Sequence, residues 1–268
     1  MTEDLADLAS RLRFASTDAA AIAAAKDLVV DHIGVSLRGW HEPWTAIARE
    51  TALEDGAAPA ATLYDGTRTS ARNAAFANGA AGHSLELDDT HDRSLTHPGT
   101  VVIPAALAVA EALGLGGARA LQAIVAGYEV QCRLGMVLGQ ELIERGMHPT
   151  ATLGVFGATA AAGNLRGLDA AQMGRAFGIA ASMSAGLMQF SQDAEGTMVK
   201  RLYGGLPAER GVLAAALASR GFSGPRGAIE GRYGVAAMLA DAALPLPASL
   251  SMEAGHEISR VSVKLYPC

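Results

Sequence analysis

Residues 18–39, DAAAIAAAKDLVVDHIGVSLRG, decide the fold class. Ile22, Ala25, Val29, Ile33 and Leu37 recur at steps of three and four, the period of a helix with one buried side. Asp18 at the start suits the helix dipole, and Gly39 is a natural stop. Asp31 and His32 read as a surface carboxylate and a partly buried imidazole on this scaffold helix. The texture is that of the whole chain. Half of the 268 residues are hydrophobic but only 5% are aromatic. A core built mainly from Ala, Leu, Val, Ile and Met suits closely packed helices with small residues at the crossings.

Working outward, the same reading gives helices almost everywhere. Thr2 is placed to cap a first helix with Leu5, Leu8 and Leu12 on its apolar face. Further helices are expected over 43–54, 70–82, 100–114, 120–138, 151–163, 169–184 and 206–220, with Pro104 tolerated in a first turn. ATLYDGT, 61–67, is short, partly β-branched and bounded by turn residues, so it reads as extended. GLGGA, 114–118, lacks the preceding strand of a dinucleotide fingerprint and reads as an interhelix turn. GLMQFSQDAEGTMVK, 186–200, is a polar loop in an apolar region. The segment 221–234 is rich in turn residues. ALPLPASL, 243–250, reads as a Pro-rich connector, and ISRVSVKLYPC, 258–268, alternates like a strand. The expectation is an all-α domain over 1–257, followed by a terminal strand at 258–268 that begins something else.

Net charge is -6 with no basic run, which argues against a nucleic-acid partner. Cys132 and Cys268 form no C-x-x-C pair, as expected in a reducing compartment. The N-terminus has no apolar signal core, and no apolar run approaches the ~20 residues of a membrane span. A cytoplasmic location is the expectation. P-loop, H-E-x-x-H, G-x-S-x-G and EF-hand patterns are absent from the sequence.

Chemistry concentrates in HSLELDDTHDRSLTHP, 83–98, between two expected helices. Loops on rigid scaffolds are where binding and catalytic groups collect. A divalent metal is one rival reading of so many His and Asp residues, and simple capping and solvation of a helix end is another. Two lysines favour a third reading. Lys200 closes the polar loop, and Lys264 lies in VKLYPC. Each sits among apolar and Gly residues, where a partly desolvated cation can hold a carboxylate.

The order GAAGHSLELDDTH (79–91), THPG (96–99), RGMHPT (145–150), GTMVKRLYGGLPAERGVLAAALASRGFSG (196–224) and VKLYPC (263–268) resembles the MmgE/PrpD family. That family includes 2-methylcitrate dehydratase, cis-aconitate decarboxylase and iminodisuccinate epimerase. The resemblance runs along essentially the whole chain. It implies a large helical domain and a smaller α+β lid domain, a homodimer, no cofactor, and a site for a small di- or tricarboxylate between the domains. By resemblance the site residues are Glu86, Asp89, Thr90, His97, His148, Lys200 and Lys264. His97 is expected as the acid–base group. Asp89 is expected to orient a histidine or a substrate hydroxyl, and Thr90 to donate a hydrogen bond. His148, Lys200 and Lys264 are expected to hold carboxylates. Decarboxylase-like members have Asp where this chain has Glu86, and the Thr90–His97 segment is one residue longer here. In the family the K-x-Y-P-C segment opens the lid, so the chain is expected to hold the helical domain and the lid's first strand. The implied activity is a lyase, 2-methylcitrate dehydratase-like before decarboxylase or epimerase. A non-catalytic helical dimerisation domain is the rival from another class.

Overall fold

The computed structural model describes residues 1–240 and 255–267. It is mostly helical. The helices are α1 (Thr2–Arg11), α2 (Ala19–Gly39), α3 (Pro43–Leu53), α4 (Ala71–Gly82), α5 (Gly99–Ala112), α6 (Gly117–Glu144), α7 (Pro149–Leu165), α8 (Ala170–Ala181) and α9 (Leu202–Ser219). The expected extended piece is a small antiparallel hairpin, β1 (Ala61–Thr62) with β2 (Arg68–Thr69). No helix among the described residues is long and apolar enough to cross a membrane.

α7 is the axis of the packing. Each of its residues is buried, because α5, α6, α8 and α9 surround it. That is possible because its sequence is Ala, Gly and Thr with few large side chains. One apolar cluster lies among α2, α4, α5 and α6, and a second lies around α1, α7 and α8. Small residues let the backbones approach. A Cβ on Gly204 of α9 would sit 2.3 Å from the Gly79 carbonyl of α4, so only glycine fits that crossing.

Local chemistry sets most boundaries. Asp18 caps α2 by accepting from the Ala21 N–H at 2.7 Å, and Ser70 caps α4 through Asn73. Asp169 and Gln172 form a reciprocal capping box on α8. The GLGGA turn separates α5 from α6, with Gly114 at φ 64.

Several expectations need correction. Met1, not Thr2, occupies the cap position of α1; the Thr2 hydroxyl donates to Glu230 at 2.5 Å. The buried face of α2 keeps the expected Ile22 and Ala25 but continues through Leu28, His32, Ser36 and Gly39, while Leu37 is exposed. His32 is therefore fully enclosed. Pro104 lies in the second turn of α5 rather than the first. α9 starts four residues earlier than expected and carries Pro207 inside it. The terminal segment is a short 3-10 turn, Glu257–Arg260, followed by extended backbone with a single antiparallel bridge between Ser262 and Thr90. The expected connector 243–250 and Cys268 lie outside the described residues.

Candidate active site

α4 ends at His83, and α5 begins after Pro98, so the stretch between them is anchored at both ends. Two of its residues, Glu86 at φ 56 and Leu95 at φ 55, take the left-handed conformation that non-glycine residues seldom adopt. The sharp turns fold the stretch back on itself, with His91 bridged to Thr96. His97 is thereby returned beside Asp89 and Thr90.

His97 is held by backbone geometry. Its Nδ1 lies 2.9 Å from the Asp89 carbonyl and 3.1 Å from the Thr90 hydroxyl, and its main-chain N–H donates to Thr150 at 2.9 Å. A carbonyl can only accept, so Nδ1 carries the proton and Nε2 keeps its lone pair. Burial pushes the imidazole below its ordinary range, with Asp88 acting in the opposite direction. His97 is thus set up as a neutral base.

The Asp89 side chain faces away from the histidine. It accepts from the Tyr128 hydroxyl at 2.7 Å and from the Gly99 N–H at the start of α5 at 2.8 Å. A Cβ on Gly99 would come within 2.8 Å of that carboxylate, which accounts for glycine after Thr-His-Pro. Burial, offset in part by these hydrogen bonds, raises Asp89 to about 7. The histidine is oriented by the main-chain carbonyl of Asp89, not by its carboxylate.

Three cations gather at Glu86. Lys200 pairs with its carboxylate at 2.5 Å, Arg201 pairs with the other oxygen, and Lys264 donates to its main-chain carbonyl at 3.1 Å. Burial would raise Glu86, but Lys200, through its hydrogen bond and its charge, holds it below its ordinary value. Lys200 also lies over the Phe190 ring at 5.8 Å, and Arg201 over Trp44 at 5.5 Å. His148, at the head of α7, packs on Phe190, Tyr203 and His83. Burial and the nearby Lys200 ammonium lower it to about 2, so it offers hydrogen bonds rather than charge.

Lys264 reaches the site because the terminal segment is docked. Buried Glu129 of α6 accepts from the N–H groups of Glu257 and Ile258 at 2.7 and 3.4 Å, and from Arg133 at 2.7 Å. The Glu257 carboxylate meets His91 at 3.2 Å and Arg260 at 2.6 Å. The Ser262–Thr90 bridge then sets Lys264 beside Glu86 and Asp88.

The residues expected from the sequence therefore fall in one connected cluster, with only the Asp89 carboxylate turned away. The structure adds Arg201, Phe190, Tyr203, and the buried pair His83 and Asp88. Arg201 could have been found beside Lys200, and His83 with Asp88 by their spacing across a helix end. Among the described residues no group of three or more His, Cys, Asp or Glu is placed to hold a metal ion.

A sequence model of the MmgE/PrpD N-terminal domain matches residues 3–245. The chain is 32% identical over 244 residues to a cis-aconitate decarboxylase-like protein, oryM, of Aspergillus oryzae, covering 87% of this chain and 50% of that one. It is 30% identical over 242 residues to cis-aconitate decarboxylase of Aspergillus terreus, covering 87% and 49%. Human cis-aconitate decarboxylase is 34% identical over 174 residues, covering 63% and 35%. The chain spans about half the length of the Aspergillus relatives. With its helical packing and its His–Lys–Glu cluster described, the chain belongs to the MmgE/PrpD family.

Proposed function

We propose that this chain supplies the helical half of a cofactor-independent lyase site acting on a carbon next to a carboxylate of a small di- or tricarboxylate. The observation that carries the reading is His97. Its Nδ1 is tied to the Asp89 carbonyl, its Nε2 is left as the basic atom, and it stands in one cluster with Lys200, Lys264 and His148.

The chemistry needs those parts. Loss of a proton or of CO2 leaves an electron pair on carbon, delocalised into the neighbouring carboxylate. Fixed cations and donors facing that carboxylate lower the barrier. Lys200 and Lys264 take the carboxylates, with Lys200 released from Glu86 as substrate replaces that anion. His148 adds an uncharged donor. In a dehydration neutral His97 takes the α-proton, the C–H electron pair becomes the new C=C bond, and the hydroxyl leaves the neighbouring carbon as water with a proton from a lysine ammonium of the cluster. In a decarboxylation His97 delivers a proton to carbon, after the substrate's own carboxylates have favoured its protonated form.

The relatives' names favour decarboxylation of a cis-aconitate-like substrate as the first reaction to test. Dehydration of a 2-methylcitrate-like substrate uses the same base and cations and is the second. A homodimer and a cytoplasmic setting belong to the same proposal. Light scattering after size exclusion reads the dimer.

The test is proton NMR of the chain with cis-aconitate, citrate, 2-methylcitrate and iminodisuccinate. New vinyl signals from cis-aconitate or from a citrate, lost in His97→Ala, are the expected result. A folded wild-type chain that binds these carboxylates without converting any of them would contradict the lyase reading and favour a non-catalytic domain.

A further inference from the structure

We propose that Asp88, held in place by His83, is the buried counter-charge of the site: a positioning residue that steadies His97 when it takes a proton and aims Lys264. The inference rests on the reading of His97 as the base.

Asp88 is 2% exposed and His83 is fully enclosed. The His83 Nδ1 lies 2.7 Å from Asp88 Oδ2, while Nε2 is buried with no hydrogen-bond partner among the described residues. An imidazolium there would bury an unpaired N–H, which is costlier than burying an unpaired lone pair. The geometry therefore assigns His83 the neutral tautomer with its proton on Nδ1. The pair keeps the negative charge of Asp88, and His83 fixes where that charge stands.

The other carboxylate oxygen is free to act on the site. Asp88 Oδ1 has no hydrogen bond and lies 3.8 Å from the Lys264 ammonium, which itself donates to the Glu86 carbonyl. These two anchors aim the Lys264 cation. The His83 ring is 5.6 Å from the His97 ring and 6.0 Å from the His148 ring, so the pair lies directly behind both. The other titratable groups facing Asp88 are Asp31 and His32 of α2, and Glu86 and Asp89 of its own loop. Burial alone would raise Asp88, yet the hydrogen bond it accepts from His83 and the nearby Lys264 ammonium hold it well below the ordinary carboxylate value, so it stays ionised.

The proton account is simple. The substrate C–H bond breaks, its electron pair stays on carbon, and the proton goes to His97 Nε2. The imidazolium so formed is balanced by Asp88, which takes no proton itself.

The test is nitrogen-15 NMR titration of the histidines in the substrate-free chain. Asp88→Asn keeps the shape and removes the charge. It should lower the His97 midpoint by about one pH unit, making protonated His97 about tenfold scarcer at a given pH. His83→Asn places an amide N–H where Nδ1 stood and should keep the wild-type His97 midpoint, whereas His83→Ala should lower it. An unchanged midpoint in folded Asp88→Asn overturns the proposal. So does an equal shift in both His83 variants, which would put the function on Nε2. Should Asp88→Asn fail to fold by circular dichroism, the two His83 variants decide alone. Because no turnover is measured, failure of the lyase reading would leave this titration intact. Where turnover is found, the acid limb of kcat/KM should fall with the midpoint in Asp88→Asn.

Discussion

At the scale of the residue, the account turns on which atom of each side chain is free. His97 spends Nδ1 on the Asp89 carbonyl, so only Nε2 can do chemistry. His97→Ala should lower turnover ~100-fold or more, the usual worth of a general acid–base group. Lys200→Ala should act differently. If Lys200 only holds a carboxylate, KM rises and kcat stays near wild type in steady-state kinetics. Asp89 makes a third case, in stability rather than rate. Its folded value is raised to about 7, above its ordinary value of 3.8. The folded state therefore holds that proton over a range where the unfolded chain has lost it, and the contribution declines as pH rises from about 4 to 7. Denaturant melts across this range should show Asp89→Asn losing less stability than wild type. At this scale the sequence was informative about identity and silent about direction. The motif brought Glu86, Asp89, Thr90, His97, His148, Lys200 and Lys264 to notice. It could not show that Asp89 turns its carboxylate to Tyr128 and Gly99, because that depends on α5 and α6 packing against the loop. Nor could it show that Lys200 and Arg201 share Glu86, which lies 114 residues from Lys200.

At the scale of the element, small residues decide how near the site-bearing pieces come. α4 delivers the acidic stretch and α9 follows directly on Lys200 and Arg201, and the two touch where Gly79 meets Gly204. Gly204→Ala should cost about 1–3 kcal/mol in denaturant melts through overpacking. It should also raise KM, because the start of α9 is displaced from Glu86. A variant as stable as wild type would show that the crossing tolerates a methyl group. Helices were readable here because caps and periods are local. Asp18, Ser70 and Asp169 each mark a start that the structure keeps. The buried face of α2 was harder. Ile22 and Ala25 are buried as expected, but alanine fills so many positions that the phase drifts in the later turns, where the face runs through His32 and Ser36. The early start of α9 was hidden by Gly204, Gly205 and Pro207, which tertiary contact with α4 and α7 overrides.

At the scale of the whole molecule, a buried ionic network ties the last described segment to the core. Glu129 of α6 meets Arg133 and the start of the 257–260 turn, and Glu257 meets His91 of the acidic loop. Removing one partner of such a network breaks a buried ion pair, at a cost of about 3–5 kcal/mol. Glu129→Ala should therefore destabilise the fold and speed amide exchange over residues 257–262 more than over α7. Uniform exchange would mean that the segment is held by something else. The sequence showed a change of texture here and an alternating end, yet this segment forms only one bridge among the described residues, Ser262 with Thr90. A strand needs strand neighbours, and among the described residues the backbone bridge of this segment is to the acidic loop alone. The central claim, that His97 Nε2 exchanges a proton with a carbon beside a carboxylate, has a direct test. The chain is incubated with the carboxylate it binds best in deuterated buffer, and deuterium at the α-carbon is followed by NMR in wild type and His97→Ala. The account predicts incorporation by wild type and at least ~100-fold slower incorporation by the variant. Equal incorporation by both would contradict it.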